Sequence, residues 1–211
     1  AVYWKIRALR ILASRAYDKL AALPASSHLH ELNARKLDSL GRPLEAAKEW
    51  QKAVSLAPND PVLEKGLALA LYNGRDFSAA LPLLKKLLER EPDSADLLFL
   101  CGSAHLSLEL PERALACLEK AAKRDPHILP VRGALGQAYL TLGRHQEAIR
   151  HLAAALPIDE DGTRHFQLAQ AWRAAGQAGR AQESLRKYRQ LREAAEARRR
   201  EFEEAGPITA P

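Results

Sequence analysis

The chain has no methionine, only two cysteines, and three Trp, five Tyr and four Phe among 211 residues. Each shortage excludes something. Cys101 and Cys117 alone make no disulfide framework, and their separation is not a metal-ligand spacing. No run reaches the roughly 18–20 apolar residues of a membrane span, so none is expected. No stretch alternates β-branched and polar residues over a strand's length, so a sheet is not expected. The missing initiator Met reads as either a mature, processed product or a fragment of a longer protein, with any signal peptide out of view. The compartment stays open, with export to the periplasm or the outside favoured over the cytoplasm.

What remains is rich in helix formers. Hydrophobic residues are 47% of the chain, which excludes disorder, and Ala, Leu, Glu, Arg and Lys dominate. The net charge of +6 comes from 32 basic against 26 acidic residues spread along the chain. The most basic stretch, 180–200, is interrupted by Glu183, Glu193 and Glu196. A nucleic-acid binder concentrates its charge on one face, so no nucleic acid is expected as partner.

The positive signal is an internal period. Pro58, Pro92 and Pro126 recur every 34 residues, and Ala46, Ala80, Ala114 and Ala148 share that period, with Ala181 following 33 later. Small residues form another column: Ala34, Ala68, Gly102, Gly136 and Ala169. Bulky ones form two more: Trp50, Leu84, Leu118, Leu152 and Leu185, then Leu37, Leu71, His105, Tyr139 and Trp172. Each unit carries two amphipathic patterns of about 12–14 residues, the length of an ordinary helix. Turns are marked by Gly41, Gly74, Gly143 and Gly176, where glycine accepts a positive φ and ends the first helix. In Asp60-Pro61 the aspartate is expected to cap the next helix with proline at its first position. One such hairpin cannot bury its apolar face alone, so stacking is required.

These columns resemble the tetratricopeptide repeat (TPR) family, in the style of bacterial multi-repeat proteins. The best copies are Ala134-Leu135-Gly136-Gln137-Ala138-Tyr139 with Gly143, Ala148 and Leu152, and Leu98, Cys101, Gly102, Ala114, Leu118, Ala121 and Pro126. The resemblance implies an all-α fold: a right-handed superhelical solenoid of about five helix-turn-helix hairpins. The repeats are 27–60, 61–94, 95–128, 129–161 and 162–191. Residues 1–26 hold an extra helix ending near Pro24, a cap or part of an upstream repeat. Residues 192–211 hold a charged helical extension and a tail from Gly206. The repeat-defining core is Ala34, Ala46, Trp50, Ala68, Ala80, Gly102, Ala114, Gly136, Tyr139, Ala148, Ala169, Trp172 and Ala181. Four departures stand out: a turn one residue early at Gly74, Pro82 in a helix whose first turn would tolerate it, Glu109-Leu110-Pro111 where a glycine is expected, and a fourth repeat that ends early at Pro157.

In this family the first helices line a concave groove. Carried onto this chain, the groove residues are Glu31, Arg35 and Asp38; Lys65, Leu69 and Tyr72; Phe99, Ser103 and Leu106; Gly133, Gln137 and Leu140; and Phe166, Gln170 and Arg173. The apolar middle suits an amphipathic helix or an extended apolar segment. Equally, Phe99, Leu106, Leu140 and Phe166 could pack within the superhelix. Family members that clamp a terminal carboxylate use Lys and Asn where this chain has Glu31 and Arg35, so acidic chaperone tails are not expected.

No chemistry-bearing constellation emerges. Asp159-Glu160-Asp161 sits in a connection and reads as a capping cluster. Gly133 and Gly136 precede no strand-borne phosphate loop. The histidines lack metal-ligand company, and His105 reads as packing. Cys101 and Cys117 fall on two helices of one hairpin and could form a disulfide or stay small and buried. No enzyme activity, metal, cofactor or small-molecule substrate is expected. The reading is a non-catalytic protein–protein interaction scaffold. Two alternatives stand beside it. One is a structural subunit assembling head-to-tail into an oligomer or extracellular filament through Tyr3, Trp4 and Ile6, large apolar groups that imply a covering surface. The other is a regulatory domain of a larger protein.

Overall fold

The computed structural model describes residues 2–21 and 26–205. Pro24 and the tail from Gly206 lie outside the described residues. The described chain is eleven α-helices with no strand. They are α1 (Val2–Ala21), α2 (Ser27–Ser39), α3 (Pro43–Leu56), α4 (Pro61–Asn73), α5 (Phe77–Arg90), α6 (Ala95–Ser107), α7 (Pro111–Arg124), α8 (Leu129–Thr141), α9 (His145–Ala155), α10 (Thr163–Ala174) and α11 (Ala178–Ala205). A 3₁₀ turn, Leu156–Ile158, follows α9. The helices fall into two compact units, one to Arg90 with α1–α5 and one from Glu91 with α6–α11.

Helix boundaries follow local chemistry. Ser26 accepts from the Leu29 amide at 3.2 Å, Asp60 from Val62 at 2.8 Å and Asp76 from Ala79 at 3.1 Å, each satisfying an amide that the first turn leaves without a partner. Pro43, Pro61 and Pro111 occupy first positions, where no amide hydrogen is needed. Pro82 is different. It is the sixth residue of α5, past the first turn where it was expected, so it deletes an intrahelical bond. Its ring is exposed, and the buried Leu81, Leu84 and Leu87 on the opposite side hold the helix in place.

The turns correct the expected register. Gly41, Arg75, Glu109, Gly143 and Gly176 all have positive φ, between 58° and 76°. They recur at 34, 34, 34 and 33 residues, so no turn is early. In the second hairpin Arg75 is the left-handed residue, while Gly74 is right-handed at φ −75°. Gly74 meets a different need, since a Cβ there would lie 2.5 Å from Leu44 Cδ2. Glu109 fills the same left-handed position in the third hairpin.

Within each hairpin the small column faces the bulky one. A Cβ at Gly102 would lie 2.5 Å from Leu118 Cγ, and one at Gly136 would lie 2.5 Å from Leu152 Cγ. Ala34, Ala46, Ala68, Ala80, Ala114 and Ala148 are wholly buried, Ala169, Ala181, Trp50 and Tyr139 are buried, and Trp172 is half-buried. Adjacent hairpins also interlock, as where the Trp50 ring of α3 lies 2.7 Å from the position of a Gly66 Cβ in α4. Glu64, 2% exposed, answers Lys86 Nζ at 2.5 Å and Arg90 Nη1 at 2.9 Å from α5, so its charge is buried but paired.

Two left-handed side chains are a removable cost. Arg75→Gly and Glu109→Gly are each expected to stabilise the fold by roughly 0.5–1 kcal/mol, because the strain relieved exceeds glycine's entropy. Thermal unfolding of the single and double variants measures this.

Candidate functional site

In the second unit α6 packs beside α8 and α8 beside α10, so these first helices form one continuous row. A cavity of about 240 Å³ opens along the row. Phe99, Ser103 and Leu106 come from α6, Gly133 and Gln137 from α8, and Arg164 and Gln167 from α10. The spacings of three and four residues put each set on one helix face. A second hollow of about 670 Å³ shares Leu106, Ser107 and Gln137 and continues toward Glu109 and Glu112. The first cavity mixes apolar and neutral polar groups with one cation, and the second adds two carboxylates. Arg164 Nη1 lies 3.5 Å from the Ile158 carbonyl and 4.0 Å from Asp159 Oδ1, while its buried Nε meets no acceptor. Gly133 leaves the room for this guanidinium, since a Cβ there would lie 3.0 Å from Nε.

Of the expected groove residues, the structure brings together Phe99, Ser103, Leu106, Gly133 and Gln137 around this cavity. Leu140 is half-buried and outside the lining. On α10 the lining falls on Thr163, Arg164 and Gln167 rather than on Phe166, Gln170 and Arg173. Phe166 instead sits beside Tyr188 of α11, ring centroids 5.2 Å apart, and stays exposed. Sequence reading missed Arg164 because its signal, a cation beside a small residue on the preceding first helix, has no fixed spacing.

In the first unit the expected positions are separately engaged. Arg35 bonds Glu31 at 2.8 Å and lies 5.7 Å over Trp50, whose Nε1 donates to Asp38 at 3.0 Å. Lys65 is exposed and Leu69 half-buried, while Tyr72 sits edge-on to Phe77 at 5.4 Å. On α1, Tyr3, Trp4 and Ile6 are exposed, Trp4 at 65%, and Leu9 and Leu12 are exposed in the same helix. A hollow between α1 and α2 is lined by Ala13, Ser14, Leu32, Arg35, Lys36 and Ser39.

Other polar clusters have structural work. Asp159, its side chain wholly buried, accepts from the Arg164 amide at 3.1 Å, the His165 amide at 2.9 Å and His165 Nδ1 at 2.6 Å. Asp161 accepts from Thr163, and that backbone bond lowers its pKa. The pair ties down the start of α10. The charged end of α11 carries Arg192–Glu196 and Arg199–Glu203 pairs at helical spacing. His151 stacks on Tyr139 at 5.4 Å and faces Arg132 Nη1 at 3.4 Å. Burial, then the charges of Arg132 and Arg150, lower its pKa, with Glu119 and Glu147 opposing. Cys101, His105 and Cys117 converge, their donor atoms within 4.8 Å of one another. Sequence reading took the two cysteines and the histidine separately. The usable signal was Cys101 and His105 four apart on one helix, opposite Cys117.

The family model described as anaphase-promoting complex, cyclosome, subunit 3 matches residues 73–155. Over 88 residues, 42% of this chain, the sequence is 38% identical to the Hsp70-Hsp90 organizing protein of Triticum aestivum, and the match covers 15% of that protein. The chain thus corresponds to a small part of that curated relative's length. The structure of MamA, residues 41 to the end, from Desulfovibrio magneticus RS-1 superposes with a TM-score of 0.71 at 22% identity, covering 82% of this chain and 98% of that one. YrrB, described as a TPR protein with an unusual peptide-binding site, superposes with a TM-score of 0.63 at 20% identity, covering 77% of this chain and 84% of that one. At these identities the structural likenesses show the fold.

Two substitutions test the local chemistry. Asp159→Ala, which strips two amides and an imidazole of their acceptor, should cost about 2–3 kcal/mol in chemical denaturation, against about 1 kcal/mol for Asp161→Ala. For His151 the folded pKa is lowered, so its contribution is full above the ordinary imidazole value of 6.5 and is lost as pH falls through the folded value. Between pH ~7.5 and ~5.5 the wild type should therefore lose more stability than His151→Gln.

Proposed function

The chain is a tetratricopeptide repeat protein, and we propose that it is a non-catalytic scaffold whose second unit holds a segment of a partner protein along α6, α8 and α10. The observation that carries this reading is the open cavity where Phe99 and Leu106 meet Ser103, Gln137, Gln167 and Arg164. Apolar pockets give such a site its affinity, and neutral hydrogen-bonding groups fix the orientation of a bound backbone. Glu31 and Arg35 satisfy each other, which supports a partner other than an acidic chaperone tail. The peptide-binding site named for YrrB and the organizing role named for the wheat protein support the same class of work.

A second reading rests on α1. Its Tyr3, Trp4, Ile6, Leu9 and Leu12 are large exposed apolar groups that contact with another copy, or with an upstream segment of a longer protein, would cover. In that reading the chain is a structural subunit, exported and assembling head-to-tail.

Peptide display on the wild type tests the scaffold reading. Selected peptides should bind Leu106→Asp at least about tenfold more weakly, a loss of ~1.4 kcal/mol, with helical content unchanged. Peptides that bind wild type and variant equally would place the partner elsewhere. Light scattering of wild type against Trp4→Glu over a concentration series addresses the second reading, which needs growth in mass that the variant abolishes.

A further inference from the structure

We propose that Cys101, His105 and Cys117 form a binding site for a soft metal ion, with Cu(I) as the ion that fits the donor set. Cys101 and His105 are four residues apart on α6, so both side chains leave one face of that helix. Cys117 reaches them from α7. The close approach that Gly102 permits to Leu118 brings these two backbones together, and the residues next to that contact are the two cysteines. Their Sγ atoms are 3.3 Å apart, and the sulfurs and an imidazole nitrogen all lie within 4.8 Å of one another. Cys101 and His105 are buried, whereas Cys117 is half-buried and gives an ion its way in.

Two thiolates and an imidazole select thiophilic ions. The described residues place no fourth His, Cys or carboxylate with these three. A structural zinc ion takes four protein donors in a tetrahedron, whereas Cu(I) is satisfied by three in a plane. At metal–sulfur distances of about 2.3 Å the sulfurs of a planar site are roughly 4 Å apart, so the thiols open by well under 1 Å, a small side-chain rotation. Binding forms two Cu–S bonds and one Cu–N bond and releases the two thiol protons to solvent, with no change of oxidation state. The column in which His105 sits holds aromatic residues in the next two hairpins, Tyr139 and Trp172. A flat hydrophobic ring satisfies that position sterically, so packing alone does not call for an imidazole beside two thiols.

The test is an anaerobic titration of the whole chain with Cu(I) held by a chromophoric chelator, repeated with Zn(II) and a zinc dye. The wild type should take one Cu(I) per chain in competition with the chelator. Cys117→Ser should lose at least about a hundredfold in affinity, and His105→Phe, a ring replacing a ring, at least about tenfold, with circular dichroism confirming the fold of both. X-ray absorption at the copper edge should read two sulfurs and one nitrogen. The proposal is overturned if the wild type yields copper to the chelator as readily as Cys117→Ser does. It is also overturned if His105→Phe binds unchanged, or if Zn(II) displaces Cu(I).

Discussion

The structure depends on how closely two helices of a hairpin approach where a small residue meets a bulky one. Gly102 against Leu118 and Gly136 against Leu152 leave no room for a further methyl group. A separation this short turns the remaining side chains into a filled interior, because dispersion and burial both fade over fractions of an ångström. Ala114 and Ala148 complete the contact from the second helix, each wholly buried. Everything apolar that one hairpin cannot cover is passed to the next, as Trp50 is to Gly66. The cost of this economy is that every hairpin must turn within a few residues, and two of the five turns force a charged residue into the left-handed region.

The groove is a consequence of the same constraint. With second helices locked behind them, α6, α8 and α10 stand in one row and leave one side of each unburied. The cavity is thus bounded by backbone held at fixed spacing, and its chemistry is set by residues the fold does not need. Ser103 and Gln137 share one 34-residue column with Arg35 and Leu69, but the residue type in it changes from hairpin to hairpin because the packing does not fix it. The metal-ligand cluster has a related origin, since helices close enough to need glycine at Gly102 are close enough to bring Cys101 and Cys117 together.

Much of the architecture was legible because it is periodic. Packing that repeats every 34 residues writes itself into columns, and the described residues are all-helical, as that period implies. The left-handed position was visible only where glycine occupies it. Arg75 and Glu109 hold it by hairpin geometry, so Gly74 drew attention to the wrong residue and concealed a contact with Leu44. Pro82 was misplaced because propensity argues for the first turn, whereas three buried leucines override it. The site was half legible. Phe99, Ser103, Leu106, Gly133 and Gln137 come together around the cavity, whereas Phe166 stays exposed with its ring beside Tyr188 of α11. Arg164 and the Cys101–His105–Cys117 convergence are single events that no period announces.

The measurement that bears most directly on the central claim is the sign of the stability change in Gly136→Ala. Helix propensity alone favours alanine by about 1 kcal/mol. In the packed hairpin the new methyl would lie 2.5 Å from Leu152 Cγ and 3.0 Å from the Leu152 backbone nitrogen, so α8 and α9 must part. Overpacking of this kind costs about 1–3 kcal/mol. Equilibrium denaturation should therefore show Gly136→Ala less stable than the wild type, by up to about 2 kcal/mol once the propensity gain is subtracted. A variant more stable by the propensity gain would show that the close approach does not hold the hairpin together, and would contradict the account.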